Sequence, residues 1–280
     1  MLNKIILSAV VVSVLISGVN AQGTEVTSET NVGKNAVVNK SNLGTMVKGK
    51  RISIGNSSIT SKTNVGKNAR INKSNLGTEL KGKNVNVRNS TISSKTNVGK
   101  NAIINKSNLG TSIKGKNVNV KGSTISSKTN VGKNAIVNKS NLGTSITGKN
   151  VNVKGSTISS QTNVGKNAII NKSNLGTSIK GKNVDIAGST ISSKTNVGKN
   201  AVINKSNLGT KISGKNLSIK NSRISSQTNV GKNSVINKSN LGTEIKGGNV
   251  RIQNANISSK TNVGKNVRMS KTNAGVYIGN

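Results

Sequence analysis

The fold is decided by the stretch TNVGKNAIINKSNLGTSIKGKNVNVKGSTISSK, which runs from Thr96 to Lys128. Its opening motif, TNVGKN, recurs at intervals of 33 residues without insertion or deletion. The copies begin at Thr30, Thr63, Thr96, Thr129, Thr162, Thr195, Thr228 and Thr261. Strict self-similarity at such a period is typical of a solenoid, in which each unit buries its apolar face against its neighbours.

Each 33-residue unit contains two related halves. GKNAIINKSNLGT begins at Gly99, and GKNVNVKGSTISS begins sixteen residues later at Gly115. In both halves Gly-Lys-Asn is followed by apolar residues at alternate positions, which is the period of a strand and not of a helix. We therefore predict an all-β fold, a β-solenoid (β-helix) with Gly-Lys-Asn as the turn between short strands. We take each half-repeat of about 16–17 residues as one rung, for about 15–16 rungs in all.

The eighth and ninth positions of the repeat predict which side chains point inwards. The ninth is aliphatic or Met in every copy, whereas the eighth is Arg at Arg70 and Arg268. Strand alternation then places Val137 in the core and Ile136 in solvent. The predicted core of this copy comprises Val131, Ala135, Val137, Leu142, Ile146, Val151, Val153 and Ile158.

Residues 1–21 have the pattern of a secretory signal peptide. Lys4 precedes an apolar stretch from Ile5 to Ile16, and Val19-Asn20-Ala21 fits a small-residue cleavage site. The apolar stretch is too short for a transmembrane helix. We expect a secretion system of unidentified type to deliver the protein to the extracellular space or cell surface. The mature chain, residues 22–280, is then a single β-solenoid domain.

The composition is unfavourable for catalysis. The chain has no His or Cys, and its five acidic residues do not pair in the sequence. General acid–base catalysis and metal binding both need such groups to converge. We therefore predict that the protein is not an enzyme and has no cofactor and no metal site.

Asparagine follows Gly-Lys in nearly every half-repeat. Identical amides stacked about 4.8 Å apart form hydrogen bonds along a stack, so these residues predict an asparagine ladder. The alternative is a turn that merely tolerates Asn. The glycine before each lysine predicts either a positive φ or a close backbone approach. The predicted ladder comprises Asn68, Asn84, Asn101, Asn117, Asn134, Asn150, Asn167, Asn183, Asn200 and Asn216.

Lysine also recurs at fixed positions, and the net charge is +38. With half-repeats as rungs, this is about +2.4 per rung every ~4.8 Å, well within a Debye length. One interpretation is a solvated face that keeps the protein soluble, and the other is a surface that binds polyanions. Aromatic residues for base stacking are lacking, which counts against a dedicated nucleic-acid reader. The candidate polyanion-binding residues are Lys67, Lys73, Lys100, Lys106, Lys133, Lys139, Lys166, Lys172, Lys199, Lys205, Lys232 and Lys238.

The run from Ser107 to Val120, SNLGTSIKGKNVNV, resembles the curlin repeat of bacterial functional amyloids. Curlin repeats begin with Ser, alternate apolar residues, turn at Gly-x-Gly-Asn and resume the alternation. The Gln pair and the aromatic residues of curlins are absent here, and this chain is far more basic. The resemblance implies a secreted subunit that polymerises into surface fibres, as in a biofilm.

Three functions follow from these observations. The first is a structural protein that stacks end to end into extracellular fibres or a matrix. The second is a monomeric basic rod, an adhesin or module that binds anionic polysaccharide, lipid or DNA without sequence specificity. The third, ice binding, would use an outward row such as Thr124-x-Ser126. This row is expected only in alternate rungs, because the rungs between them have Asn108-x-Gly110 at the same place. Such an interruption counts against a flat array.

For the fibre, we expect head-to-tail contacts between the two ends of the solenoid. Strand edges at the ends of a β-solenoid pair with other chains unless they are covered. One predicted end is acidic and the other basic and apolar, so the contact would repeat as an open filament with subunits about 75 Å apart. The candidate assembly residues are Glu25, Glu29, Val276, Tyr277 and Ile278.

Overall fold

The computed structural model describes residues 12–15 and 18–279, and within them the secondary structure is entirely β. All paired strands are parallel, and each residue pairs with the residue 33 positions away. One coil therefore contains 33 residues, and about eight coils stack on one another. At about 4.8 Å per coil the stack is about 38 Å long. The predicted β-solenoid is confirmed.

Three sheets run along the stack. Sheet 1 consists of Glu25–Val32, Ser58–Val65, Thr91–Val98, Thr124–Val131, Thr157–Val164, Thr190–Val197, Arg223–Val230 and Asn256–Val263. Sheet 2 consists of Val37–Asn39, Arg70–Asn72, Ile103–Asn105, Ile136–Asn138, Ile169–Asn171, Val202–Asn204, Val235–Asn237 and Arg268–Ser270. Sheet 3 consists of Val12–Leu15, Gly18–Gln22, Thr45–Gly55, Thr78–Arg88, Thr111–Lys114, Asn117–Lys121, Thr144–Thr147, Asn150–Lys154, Thr177–Ala187, Thr210–Lys220, Thr243–Gln253 and Val276–Gly279.

The predicted rung of 16–17 residues is wrong, and so is the count of 15–16 rungs. Ile104 pairs with Ile71 and Val137, and Val118 pairs with Val85 in the same way. The two halves of a repeat therefore lie side by side in one coil and do not stack. The physical reason is that a 33-residue period places identical side chains over one another, so that backbone and amide hydrogen bonds continue without interruption.

Each coil encloses two apolar cores. One is built by residues that include Val131, Ala135, Val137 and Leu142. The other is built by residues that include Ile146, Val151, Val153 and Ile158. All eight residues predicted for the core of this copy are buried, and the predicted orientation at the strand of sheet 2 is confirmed. The side chain of Val137 is 0% exposed, whereas that of Ile136 is 40% exposed.

A buried row of hydroxyl groups separates the two cores. Thr129 Oγ1 donates a hydrogen bond of 2.7 Å to the carbonyl oxygen of Leu142, and Ser127 Oγ lies 3.3 Å from Thr144 Oγ1. These three hydroxyl residues are buried. Because these three hydroxyls are hydrogen-bonded, their burial costs little, and they join the halves of the coil across its middle. In the first coils, Thr45 Oγ1 and Ser61 Oγ of the same columns are buried without a hydrogen-bond partner among the described residues.

Three positions in a typical coil have left-handed backbone conformations. In one coil these are Asn101, with φ 56°, Lys106, with φ 51°, and Gly122, with φ 58°. The first position is always Asn and the second always Lys, and the third is either Asn or Gly. These residues make the turns that direct the chain from one sheet to the next.

The glycines of the repeat are required by close packing between coils. A Cβ atom on Gly132 would lie 2.6 Å from the carbonyl carbon of Gly99, and one on Gly110 would overlap the carbonyl oxygen of Gly143. None of the glycines that precede lysine in a Gly-Lys-Asn triplet has a positive φ in the described residues. Of the two predicted explanations, close approach is therefore the correct one.

The predicted signal peptide, residues 1–21, lies largely outside the described residues. The strand Val12–Leu15 within it and the strand Gly18–Gln22, which runs one residue past its predicted end, pair in parallel with Thr45–Gly55 at the same 33-residue offset. The rest of the predicted peptide is not described.

Candidate functional site

The 33-residue coil arranges the predicted lysines into two columns parallel to the axis. The GKN column comprises Lys67, Lys100, Lys133, Lys166, Lys199 and Lys232, and the NKS column comprises Lys73, Lys106, Lys139, Lys172, Lys205 and Lys238. All twelve side chains are exposed. The two columns flank sheet 2, because each lysine lies in the turn just before or just after its three-residue strand.

The corrected coil doubles the expected charge density. The net charge of +38, or one less without Lys4, is distributed over about eight coils. This amounts to about +5 per coil and about one positive charge per Å of axis. Duplex DNA carries one negative charge per about 1.7 Å. The solenoid therefore has an axial charge density above that of DNA and of opposite sign.

The NKS lysines adopt a backbone conformation that lysine does not favour. Lys106 and its equivalents in the other coils have φ between 47° and 51°. A residue with a Cβ pays about 1–2 kcal/mol in this region, and Gly or Asn would be less strained. The other left-handed positions use Asn or Gly, but this one is Lys in all eight coils: Lys40, Lys73, Lys106, Lys139, Lys172, Lys205, Lys238 and Lys271. The backbone conformation does not explain this choice.

An open groove follows the axis beside the NKS column. Lys106 and Lys114 line its two walls, and Ser107, Asn108 and Ser112 line its floor. The groove has a volume of about 780 Å³ along the first coils, and a further stretch of about 480 Å³ continues it along the last coils. The floor groups hydrogen-bond within the protein, since Ser107 Oγ donates to the carbonyl oxygen of Asn105 and Asn108 Nδ2 donates to Asn75 Oδ1 and to the carbonyl oxygen of Thr78. The amines on the walls are the groups that suit a linear anionic chain.

The acidic residues are dispersed over the surface. Glu79 and Glu244 lie in the groove in one column, with Glu79 Oε1 3.6 Å from Lys114 Nζ and Glu244 Oε1 2.9 Å from Lys211 Nζ. Asp185 pairs with Lys154 on another part of sheet 3. Among the residues that the structure describes, the ion pairs include no lysine of the GKN or NKS column. Those amines are available to a ligand.

The Gly-Lys-Asn asparagines form two amide ladders, where one was predicted. In the first half of the repeat, Asn134 Nδ2 donates to Asn101 Oδ1 at 3.1 Å. In the second half, Asn150 Nδ2 donates to Asn117 Oδ1 at 2.9 Å. The ten predicted residues divide between these ladders by half-repeat, and each ladder has the 33-residue spacing.

Three further amide ladders were not predicted. Asn130 Nδ2 donates to Asn97 Oδ1 and Asn141 Nδ2 to Asn108 Oδ1, both at 2.8 Å. A weaker ladder includes Asn105, which donates to Asn72 at 3.3 Å. The signal that would have revealed them is the recurrence of Asn at the same place in nearly every 33-residue unit.

The candidate assembly residues occupy two kinds of position. Val276 and Ile278 lie in columns that are buried in the preceding coils, and they are exposed in the last described coil. Tyr277 points to the side of the solenoid, where Lys246 Nζ lies 5.2 Å from its ring centroid. Glu25 is also on the side of the coil, as is Glu29, whose Oε1 lies 2.7 Å from Lys62 Nζ.

The Thr124-x-Ser126 row is more continuous than expected. Thr124 pairs with Thr91 and Thr157, and Ser126 stacks in the same register, so the row is present in consecutive coils. The expected interruption by Asn108-x-Gly110 is wrong, because those residues lie in a different part of the same coil. The neighbouring outward column contains Lys128, whose long side chain interrupts a flat surface.

Within residues 12–15 and 18–279, no cluster of three or more His, Cys, Asp or Glu side chains could hold a metal ion. The same residues include no helix of the length and apolarity needed to cross a membrane. No protein-family model matches the chain, and no curated protein matches it.

Proposed function

We propose that this protein is a secreted basic rod that binds linear polyanions in the groove beside the NKS column. The observation that carries the proposal is a row of unpaired lysines kept in a left-handed conformation, once per coil, along a continuous groove. A rod of this charge density attracts a shell of small anions, and a polyanion gains affinity by releasing them. Each coil contributes weakly, but contacts along one chain add up.

The test is binding to immobilised heparin over a range of salt concentrations. The variant Lys106→Asn, Lys139→Asn, Lys172→Asn removes three groove charges and introduces a residue that accepts the left-handed conformation. Its matched control, Lys116→Asn, Lys149→Asn, Lys182→Asn, removes three exposed charges outside the groove. We expect the slope of log K against log salt to fall by about one per contacting lysine, and more for the groove variant than for its control. Wild-type binding that is equal at low and high salt would contradict the proposal.

A second candidate is a fibre subunit that stacks head to tail. It is favoured by the direction of the amide ladders, since in each one the later coil donates Nδ2 to Oδ1 of the earlier coil. In the first coil, Asn42 Nδ2 is buried and has no hydrogen-bond partner among the described residues. At the other end of the same ladder, Asn273 Oδ1 accepts the backbone N–H of Gly275 and no side-chain amide from the described residues. A second copy stacked head to tail in register would set its Asn42 Nδ2 against Asn273 Oδ1 of the first copy, which suits a polar filament.

Electron microscopy and light scattering test this candidate. A filament would repeat every ~38 Å, from about eight coils at ~4.8 Å, in place of the 75 Å that half-repeat rungs predicted. Polyanion should speed assembly by screening the like charges of neighbouring subunits. Replacing Val276 and Ile278 with Lys, or Glu25 and Glu29 with Lys, should slow assembly and leave the coils folded. A wild-type protein that stays monomeric at high concentration, with and without heparin, would eliminate the fibre and leave the polyanion-binding rod.

A further inference from the structure

A ridge of exposed aliphatic side chains runs along sheet 2. In five consecutive coils the first residue of the three-residue strand is aliphatic and 40–46% exposed. These residues are Ile103, Ile136, Ile169, Val202 and Val235, and they pair with one another in register. At about 4.8 Å per coil the ridge is about 19 Å long. We call it the sheet 2 ridge.

The ridge is distinct from the rest of the surface. Apart from Val37, which lies in the same column but is separated from the ridge by Arg70, the other exposed large apolar side chains of the described residues all lie in the last coil. Arg70 and Arg268 occupy this column in two coils, so folding does not require an apolar residue there. Contiguous exposed apolar surface bordered by polar residues marks an interaction site.

The border of the ridge is positively charged on both sides. The turn before each strand carries the GKN lysine and the turn after it carries the NKS lysine, as Lys100 and Lys106 do around Ile103. Two copies packed ridge to ridge would bring four lysine columns together, which like-charge repulsion opposes. The occupant must therefore present negative charge and apolar surface together.

We propose that the sheet 2 ridge and its two lysine columns dock on the surface of an anionic lipid bilayer. The lysines contact lipid phosphates, and the aliphatic side chains enter the boundary between headgroups and acyl chains. This inference goes beyond the groove, because a hydrophilic polyanion gains nothing from five exposed aliphatic residues. It also gives the strained NKS lysines a second ligand on the other side of their column.

Vesicle co-sedimentation with the full mature chain tests this proposal. The probes are vesicles of phosphatidylcholine alone and vesicles with phosphatidylglycerol, and immobilised heparin is the lipid-free comparison. The ridge variant is Ile103→Ser, Ile136→Ser, Ile169→Ser. The control variant is Thr91→Ser, Thr124→Ser, Thr157→Ser, which changes an exposed column of sheet 1 in the same region of the stack. Circular dichroism establishes that both variants fold.

We expect wild-type protein to bind vesicles that contain phosphatidylglycerol and to bind phosphatidylcholine vesicles weakly. The ridge variant should bind the anionic vesicles about tenfold more weakly, since much of the apolar contact is lost. Its heparin affinity should be unchanged, and the control should behave as wild type with both probes. If wild type, ridge variant and control variant all fail to bind heparin, the proposed polyanion-binding groove is rejected and the proposed lipid-binding ridge is not.

Four results would overturn the proposal. If the wild-type protein does not bind anionic vesicles, the sheet 2 ridge is not a lipid-binding site. Equal vesicle binding by wild type and ridge variant would mean that the aliphatic side chains contribute nothing and that the vesicles bind through charge alone. A ridge variant that loses heparin and vesicles alike indicates a general effect of the substitutions. A wild-type dimer at assay concentration that the ridge variant abolishes identifies a second copy as the occupant.

Discussion

The two halves of most coils carry the same Gly-Lys-Asn triplet in different conformations. In the repeat that starts at Thr162, Asn167 has φ 55° and turns the chain from sheet 1 to sheet 2. Sixteen residues later, Asn183 lies inside the extended strand Thr177–Ala187. Both asparagines bond to identical neighbours 33 residues away. Likeness within a repeat thus does not establish which segments stack, whereas likeness between repeats does.

The largest expected effect tests whether both halves are built around a core of their own. Val137 and its second-half counterpart Val153 are each fully buried. Val137→Lys and Val153→Lys should each cost several kcal/mol of unfolding free energy, because each buries an unpaired charge. Ile136→Lys should cost little, since Arg occupies the same column in two coils. Urea denaturation measures all three. If Ile136→Lys unfolds the protein and Val137→Lys does not, the assigned faces are reversed.

The next effect separates the two glycines of the triplet. A Cβ on Gly165 would lie 2.7 Å from the backbone of Gly132 and Lys133. On Gly181, the nearest atoms would be Cγ2 of Val184 at 3.0 Å and the carbonyl oxygens of Gly148 and Asn183 at 3.1 and 3.2 Å. Gly165→Ala should therefore cost about 2–3 kcal/mol and Gly181→Ala about 1 kcal/mol, because shifts of a few tenths of an ångström relieve the contacts at Gly181 and not the closer backbone contacts at Gly165. Equal losses on thermal or urea unfolding would remove this difference between the halves.

A smaller difference is expected at the asparagines. Asn167→Ala removes two ladder hydrogen bonds and places alanine, whose side chain forms no hydrogen bond, at a positive φ, at a cost of about 2 kcal/mol. Asn183→Ala removes only the ladder bonds from an extended and exposed position, at about 1 kcal/mol. The measurement is again the midpoint of urea unfolding. A larger loss at Asn183 than at Asn167 would contradict the conformational assignment.

The smallest effect has the opposite sign. Lys139→Asn relieves a left-handed lysine and should stabilise the fold by a few tenths of a kcal/mol up to about 1 kcal/mol. Lys149→Asn, in the second Gly-Lys-Asn triplet of the same repeat, should have no effect beyond about 0.5 kcal/mol. The groove variant and its control each combine three such substitutions, so their summed effects on the free energy of unfolding are large enough to measure by calorimetry. Destabilisation by the groove variant alone would mean that the NKS lysines support the fold.

The alternation of side chains was predictable because substitutions identify it. Arg70 and Arg268 in the column of Ile136 exclude that column from the core, whatever the stacking period. The coil length was not predictable from alternation. A strand points the same residues inwards whether the coil contains 16–17 residues or 33. The missed signal was the identity of the stacked residues. The 33-residue offset places Asn108 beside another asparagine, Asn141, whereas an offset of sixteen residues would have placed it beside Thr124.

Two other features lacked a sequence signal of the usual kind. The left-handed conformation of Lys106 was missed because Gly and Asn are the residues that indicate it. The hydroxyl row was missed because Ser127 and Thr129 are polar, and inward polar residues resemble surface positions until their partners are known. The candidate lysine columns were predictable by position, but the groove beside them depends on how sheets 2 and 3 meet.

The coil length is the central claim, since the charge density, the ladders, the groove and the ridge all depend on it. The chain contains no cysteine, so engineered pairs report without background. Two double variants test the coil length directly by mild oxidation followed by peptide mapping. The first carries Ile136→Cys with Ile169→Cys, and the second carries Ile136→Cys with Asn152→Cys. With 33-residue coils, the first pair lies on adjacent strands about 4.8 Å apart, within disulfide reach, and the second pair lies on different sheets. We predict an intramolecular disulfide in the first variant and none in the second. A disulfide in the second variant and none in the first would restore the half-repeat rung and contradict this account.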